Sequence, residues 1–393
     1  MKLVTAKPPL YPNITVDEIY SCLPHLYEPD AKDRRSVDSF YFKGSTSFEN
    51  ELCDYLGTNY CFVTNSGYTS IFLALLAAGV TKDDEVITTP ISWGQTLSPI
   101  VHIGALPIFA DIDPNTFQIS YDAIVEAYSP RTKAVLVVNL YGSCPELHKI
   151  RTFCDEHNLI MIEDSAQSMG RKYGKNFTGT IGHIGAFSFN SGKLLPIGGA
   201  GAIVTESEDL YHKIIYYGSK STHKNKIIGH TDLSLEGLDY TFLCHPILQE
   251  IGRIKLTQLD EMNEIRQNNM NFLRKELSDI KSIQLQTINK DSDVSIYMFS
   301  FKNLAPIKLD KLFDLFKRFN IPRFTYNPKP LCDITSDRFP WYTPFIGSCP
   351  NATDLCNREV CITSYKWITE RQDYLRQYSD AFHYCYEQLE RRL

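Results

Sequence analysis

The sequence has little of what marks the extreme classes of protein. Its 393 residues hold no apolar run long enough to cross a bilayer, and Met1 to Pro9 lack the hydrophobic centre of a secretory signal. These absences lead us to expect a cytoplasmic protein without a membrane partner. Positive charge is also short: 40 Lys and Arg stand against 46 Asp and Glu, for a net charge of −6 and a pI near 6.0. The basic residues are dispersed, which argues against nucleic acid or anionic lipid as a partner. No C-x-x-C pair occurs among the 11 cysteines. Cys22, Cys53, Cys61, Cys144, Cys154 and Cys244 are scattered, and the closest group, Cys349, Cys356 and Cys361, lacks zinc spacing and a nearby histidine. We therefore expect reduced thiols and no metal site. Asn13, Asn176 and Asn351 each open an Asn-x-Thr pattern, but glycosylation there requires secretion. No internal repeat or low-complexity segment is present.

What remains is ordinary globular composition, 43% hydrophobic and 22% charged, on a chain longer than one core usually organises. From about residue 48 to 205, helical periodicity alternates with short apolar runs, the pattern of a parallel sheet with helices on both faces. Helices are expected over 48–56, ended by Gly57, and over Thr69 to Ala78; strands at Tyr60 to Val63, Glu85 to Thr88, Ile108 to Ala110, Ala134 to Val138 and Leu159 to Ile162. After about residue 248 a long helical stretch, Ile251 to Leu277, leads into proline-interrupted segments and a charge-rich surface helix, Arg371 to Leu389. We expect an α/β fold with a large domain over residues 1–248 and a smaller C-terminal domain over 249–393.

Ligands of such sheets bind where loops leave the carboxyl ends of the strands, and the candidate functional residues lie there. Thr64 to Ser70 follows a strand and opens a helix, with Gly67 permitting close approach, which is anion-binding geometry; a plain helix cap reads the same way. Trp93 follows the next strand, placed either to stack on a flat ring or to pack in the core. Asp164 and Gln167 stand at the mouth of another strand, where a carboxylate can pair with a protonated pyridine nitrogen or simply cap a turn. Phe187-Ser188-Phe189 precedes Lys193, which sits before the glycine-rich turn Gly198 to Gly201. A lysine amine held neutral captures aldehydes, notably that of pyridoxal phosphate.

These motifs, in this order, resemble the fold type I pyridoxal phosphate enzymes, and within them the DegT/StrS-type sugar aminotransferases. The resemblance covers most of the chain: Gly44 to Glu49, Ser66-Gly67, Lys82 to Ile87, Phe109 to Asp113, Pro130 to Ala134, Leu140-Tyr-Gly142, Glu163 to Gln167, Phe187 to Phe189 and Lys193. It implies a mixed, mostly parallel sheet between helices and a smaller α+β C-terminal domain. By resemblance, Lys193 carries pyridoxal 5′-phosphate (PLP) as a Schiff base and moves protons, Asp164 pairs with the ring nitrogen, Gln167 approaches the ring hydroxyl and Trp93 stacks on the ring. The phosphate falls to Gly67, Tyr68 and Ser188, and Arg323 and Tyr326 lie near the substrate. The resemblance also implies cycling through the pyridoxamine form (PMP), glutamate or glutamine as donor, and a homodimer with shared sites. The acceptor it implies is a nucleotide-linked keto-sugar for antibiotic or surface-polysaccharide synthesis, with an inosose or small phosphorylated ketone as alternatives. A sugar dehydratase of this fold carries histidine in place of the lysine, and a non-catalytic relative is the remaining alternative.

The chain departs from the family pattern at four places. Tyr68 replaces a threonine, for which Thr69 is a substitute; Gly198-Gly-Ala-Gly201 replaces Gly-Glu-Gly-Gly; Asn139 replaces a histidine; and Asp239 replaces an asparagine that reaches the partner's phosphate. A carboxylate beside a phosphate is unfavourable without a cation, so that role is not carried to Asp239. Lys220, Lys224 and Lys226 could compensate, or the loop could serve the substrate.

Overall fold

The computed structural model describes residues 48–219, 240–293, 296–319, 325–339, 341–363 and 372–391, with Thr15, Asp17, Glu18, Tyr20, Ser21 and Ile321. Asn13, Cys22, Gly44 to Ser47, Lys220, Lys224, Lys226, Asp239, Arg323 and Arg371 lie outside the described residues.

Seven strands form the main sheet: β1 Tyr60–Thr64, β2 Glu85–Thr88, β3 Leu106–Phe109, β4 Thr132–Val138, β5 Ile160–Asp164, β6 Ile184–Ser188 and β7 Gly201–Thr205, in the order β1-β7-β6-β5-β4-β2-β3. All neighbours pair in parallel except those of β7, which runs against both β1 and β6. The sheet is thus mixed and mostly parallel. β3 starts two residues before the expected Ile108 because Leu106 pairs with Glu85 of β2 and its N–H reaches the Asp84 carbonyl at 2.8 Å. β5 runs two residues past the expected Ile162 and takes in Glu163 and Asp164.

Strands buried on both faces read as unbroken apolar runs, and β4 shows the reason. Ala134 and Leu136 join a core with Ile71 and Leu73 of one helix and Ile214 of another, whereas Val135 and Val137 face Ile124, Ile150 and Phe153 on the opposite side. Each Val, Leu, Ile or Phe side chain so removed from water contributes about 1.5–3 kcal/mol. The helices are α1 (48–56), α2 Gly67–Ala77, α3 Gly94–Ile103, α4 Tyr121–Ala127, α5 Leu147–Glu156 and α6 Glu208–Gly218. α2 starts two residues before the expected Thr69, because the Ser66 hydroxyl accepts from the Thr69 N–H at 3.2 Å and so fixes the cap.

The 31-residue α7, Pro246–Glu276, belongs to two cores. Its Ile251, Leu256 and Leu259 pack with Phe48, Leu52 and Val63, and its Met270 and Leu273 pack in a second core. That second core is built on an antiparallel sheet of β8 Ile283–Leu285, β9 Met298–Asn303 and β10 Glu359–Thr363, covered by α8 Leu309–Arg318 and α10 Gln372–Glu390. α10 buries Leu375, Tyr378, Phe382 and Tyr386, so only its other face is the surface the charge pattern suggests. Among the described residues no helix is long and apolar enough to cross a membrane.

One tie between the halves is a helix cap. The Asp111 carboxylate, just after β3, accepts from the N–H groups of Asn351 (2.9 Å) and Ala352 (3.0 Å) at the start of α9, Pro350–Arg358. Asp111 therefore acts on a helix about 240 residues away. Asp111→Ala strips both donors of their acceptor and is expected to lower the unfolding free energy by about 1–2 kcal/mol. A urea titration reads this as a lower midpoint at constant slope; an unchanged midpoint contradicts the assignment.

Candidate active site

A cavity of about 750 Å³ opens at the carboxyl edge of the main sheet. The residues after β1, β2, β5 and β6 line it, and Tyr297, Met298 and Tyr326 close it from the side of the second core. Gly67, Tyr68, Trp93, Asp164, Gln167, Ser188 and Lys193 all lie in this lining, as does Tyr326.

The turn between β1 and α2 supplies the anion cradle. Ser66 caps Thr69, and the N–H groups of Gly67 and Tyr68 precede the first intrahelical bonds, at the positive end of the helix dipole. A Cβ built on Gly67 would stand 2.5 Å from Ser188 Cβ and 3.0 Å from its hydroxyl. Only glycine lets α2 approach β6 this closely. Tyr68 spends its phenol on His102 of α3, at 2.6 Å, and stacks on Phe72, so its backbone N–H is what remains for an anion. Thr69 does not join the site: it is 3% exposed, absent from the lining, and its hydroxyl donates to the Asn65 carboxamide at 2.6 Å.

Trp93 is not a core residue. It is 59% exposed at the rim, its ring 6.5 Å from that of Tyr326. Across the cavity floor, Asp164 is 4% exposed. Burial pushes its carboxyl above the ordinary range, opposed by the Thr96 hydroxyl, the charge of Lys193 and the Ala166 N–H. Thr96 Oγ1 donates to one carboxylate oxygen at 2.7 Å and Ala166 N to the other at 3.1 Å. The Ser92 hydroxyl lies 2.8 Å from Thr96 Oγ1, an i to i+4 pair at the head of α3. Lys193 is half-buried, its Nζ 4.9 Å from the Tyr297 ring centre. Burial pulls its amine from the ordinary 10.5 down to about 8, against the charge of Asp164. Burial drives both groups toward neutrality, and each is opposed by the charge of the other.

The neighbouring Glu163 plays a different part. It is fully buried, and its carboxylate accepts from the N–H groups of Gly179 (2.9 Å), Ile181 (2.8 Å) and Gly182 (2.6 Å) and from Asn139 Nδ2 (3.0 Å). It fastens the loop before β6 behind the cavity. Asn139 also donates to Ser165 Oγ at 2.9 Å and leaves its own buried Oδ1 without a partner among the described residues. Gln167 accepts from the Tyr141 N–H at 2.8 Å and donates to the Tyr326 hydroxyl at 2.8 Å.

Thr96, Asn190 and Tyr297 belong to the site without having been singled out in the sequence. The Ser92 and Thr96 spacing is a signal that could have found Thr96. Tyr297 reaches the cavity from β9's approach, more than 100 residues beyond Asp164, and no local pattern marks it.

The family model for the DegT/DnrJ/EryC1/StrS aminotransferases matches residues 38–375. A GDP-perosamine synthase of Vibrio cholerae is 28% identical over 300 residues, 74% of this chain and 78% of that protein. An L-glutamine:2-deoxy-scyllo-inosose aminotransferase of Streptomyces kanamyceticus is 33% identical over 238 residues, 59% of this chain and 56% of its own length. Among solved structures, an aminotransferase from Psychrobacter cryohalolentis superposes with a TM-score of 0.83 at 22% identity, covering 95% of this chain and 96% of that one. The E. coli GDP-4-keto-6-deoxy-D-mannose-3-dehydratase follows with 0.79 at 22% identity, covering 93% and 95%. The fold is therefore that of the fold type I PLP-dependent transferases. With its ordered motifs meeting at one sheet edge and the family model spanning most of its length, the chain belongs to the DegT/DnrJ/EryC1/StrS aminotransferase family, enzymes that work with pyridoxal 5′-phosphate.

Proposed function

We propose that this enzyme moves the amino group of glutamate or glutamine onto a nucleotide-linked keto-sugar during synthesis of a surface polysaccharide or an antibiotic. The perosamine relative supports that substrate class. The inosose relative, at 33% identity, favours a cyclitol ketone as the second reading. Lys193 speaks against the dehydratase reading, since dehydratases of this fold carry histidine by resemblance. We take residues 1–248 as the cofactor-binding unit and 249–393 as the smaller one. A homodimer with shared sites is supported by the exposed Tyr240 and Trp341, which extend the aromatic face running from Tyr68 through Phe72 and through His102 and Phe339. We assign the enzyme to the cytoplasm.

The residues present fit PLP. The observation that carries this is the cradle of Gly67 and Ser188, which a single added Cβ would fill, opposite a partly desolvated amine and a buried carboxylate. Gly67 and Tyr68 N–H groups and the Ser188 hydroxyl would hold the phosphate, Trp93 the ring face and Gln167 the ring hydroxyl. When bound, PLP supplies an aldehyde and an electron-withdrawing ring. Lys193, with an amine near 8, holds a neutral fraction at physiological pH and can take and return a proton at the substrate carbon. The Asp164 carboxylate, which accepts from Thr96 and Ala166, would pair with the protonated ring nitrogen. Tyr326 faces the incoming substrate.

The amine sets the pH dependence. Raising the pH removes the Lys193 proton, so the rate of PLP capture by the apo-protein should rise about tenfold per unit below about 8 and level off above it. Stopped-flow absorbance from pH 6 to 10 checks this; a midpoint near the ordinary 10.5 contradicts a desolvated amine. Asp164→Asn is expected to keep PLP binding while cutting conversion of L-glutamate or L-glutamine at least about 100-fold. Near-parental conversion, followed by absorbance in single turnover, contradicts the role of the carboxylate.

A further inference from the structure

A third buried carboxylate stands behind the cavity wall. Glu359, the first residue of β10, is 1% exposed. Its Oε1 accepts from the Tyr141 hydroxyl in a short bond and from Ser300 Oγ at 2.8 Å, and its Oε2 accepts from the Tyr326 N–H at 3.3 Å. Burial raises its carboxyl, and the hydroxyls of Tyr141 and Ser300 act against that rise. Neither the mechanism nor the cores account for a carboxylate at this place.

The two tyrosines it holds meet again at Gln167, which lines the cavity. Tyr141 sits in the left-handed region, φ +63°, a conformation that a bulky residue keeps only when its surroundings over-determine it. In that turn its N–H donates to Gln167 Oε1 and its carbonyl accepts from the Tyr297 N–H at 2.9 Å. With Oε1 so committed, Gln167 presents its nitrogen to the Tyr326 hydroxyl. A closed circuit results: Glu359 to Tyr141, Tyr141 to Gln167, Gln167 to Tyr326, and Tyr326 back to Glu359. The Tyr326 oxygen accepts from Gln167, so its own hydrogen is left to donate, and no acceptor among the described residues takes it. The Gln167 nitrogen keeps a second hydrogen for the ring hydroxyl.

We propose that Glu359 is a positioning residue of the active site: from the small sheet it holds Tyr141 and Tyr326 so that the Gln167 carboxamide and the Tyr326 phenol face the cofactor and substrate in fixed orientation. This rests on the assignment of the cavity to PLP. The second core thereby reaches the reacting groups through one carboxylate.

The test compares Glu359→Gln with Ser300→Ala, which removes a donor from the same carboxylate without touching either tyrosine. Whichever way the new amide turns, one of the tyrosines loses its acceptor. Glu359→Gln is expected to weaken PLP binding to the apo-protein about tenfold, measured by absorbance titration, and to speed hydrogen exchange in the segments carrying the Tyr141 and Tyr326 amides. Ser300→Ala should shift the urea midpoint and leave PLP affinity within about twofold. Tyr326→Phe should weaken binding as Glu359→Gln does, and the double variant no further, because both act through Gln167. Equal PLP affinity in Glu359→Gln and Ser300→Ala, or losses that multiply in the double variant, would overturn the proposal. Should the parent fail to bind PLP, the cofactor assignment falls and this proposal with it; where the parent binds PLP, unchanged exchange at Tyr141 and Tyr326 in Glu359→Gln overturns the Glu359 circuit alone.

Discussion

The site turns on a carboxylate and an amine that share one desolvated pocket. Burial pushes the Asp164 carboxyl up and the Lys193 amine down, and the charge of each acts against the shift of the other. The hydroxyl of Thr96 and the N–H of Ala166 act against the burial of the carboxylate by giving each of its oxygens a donor. The amine has fewer partners and settles near 8, within reach of both protonation states at neutral pH.

Much of the fold serves to keep this pair in register. The parallel strands deliver residues from distant parts of the chain to one edge, and Gly67 lets the cradle close against Ser188. Glu163 ties down the loop before β6 with three backbone donors. The C-terminal part of the chain contributes through α9, capped by Asp111, and through Glu359 behind the cavity wall. Two adjacent carboxylates on β5 thus have separate tasks: Glu163 is saturated by the backbone, and Asp164 faces the cavity.

The parts that were legible in the sequence depend on local rules. Strands buried on both faces appear as apolar runs, and the residues that leave their carboxyl ends, Gly67, Trp93, Asp164 and Ser188, could be named because the topology of such sheets fixes where ligands go. Thr69 stands off the cavity lining for a reason of the same scale: in the first turn of α2, its hydroxyl donates to the Asn65 carboxamide. The contributions of Asp111 and Glu359 could not be read locally. Their partners lie about 240 and 218 positions away, and only the packing of the two cores brings them together.

The most direct test of the account is the visible absorbance of the purified protein supplied with PLP, recorded for the parent and for Lys193→Ala, before and after L-glutamate or L-glutamine. With Lys193 as the cofactor-bearing lysine, the parent shows a band that differs from free PLP and is lost on adding one of the two donors, and Lys193→Ala shows no such band. A parent without the band, or a Lys193→Ala protein that retains it, would contradict the placement of the chemistry at Lys193.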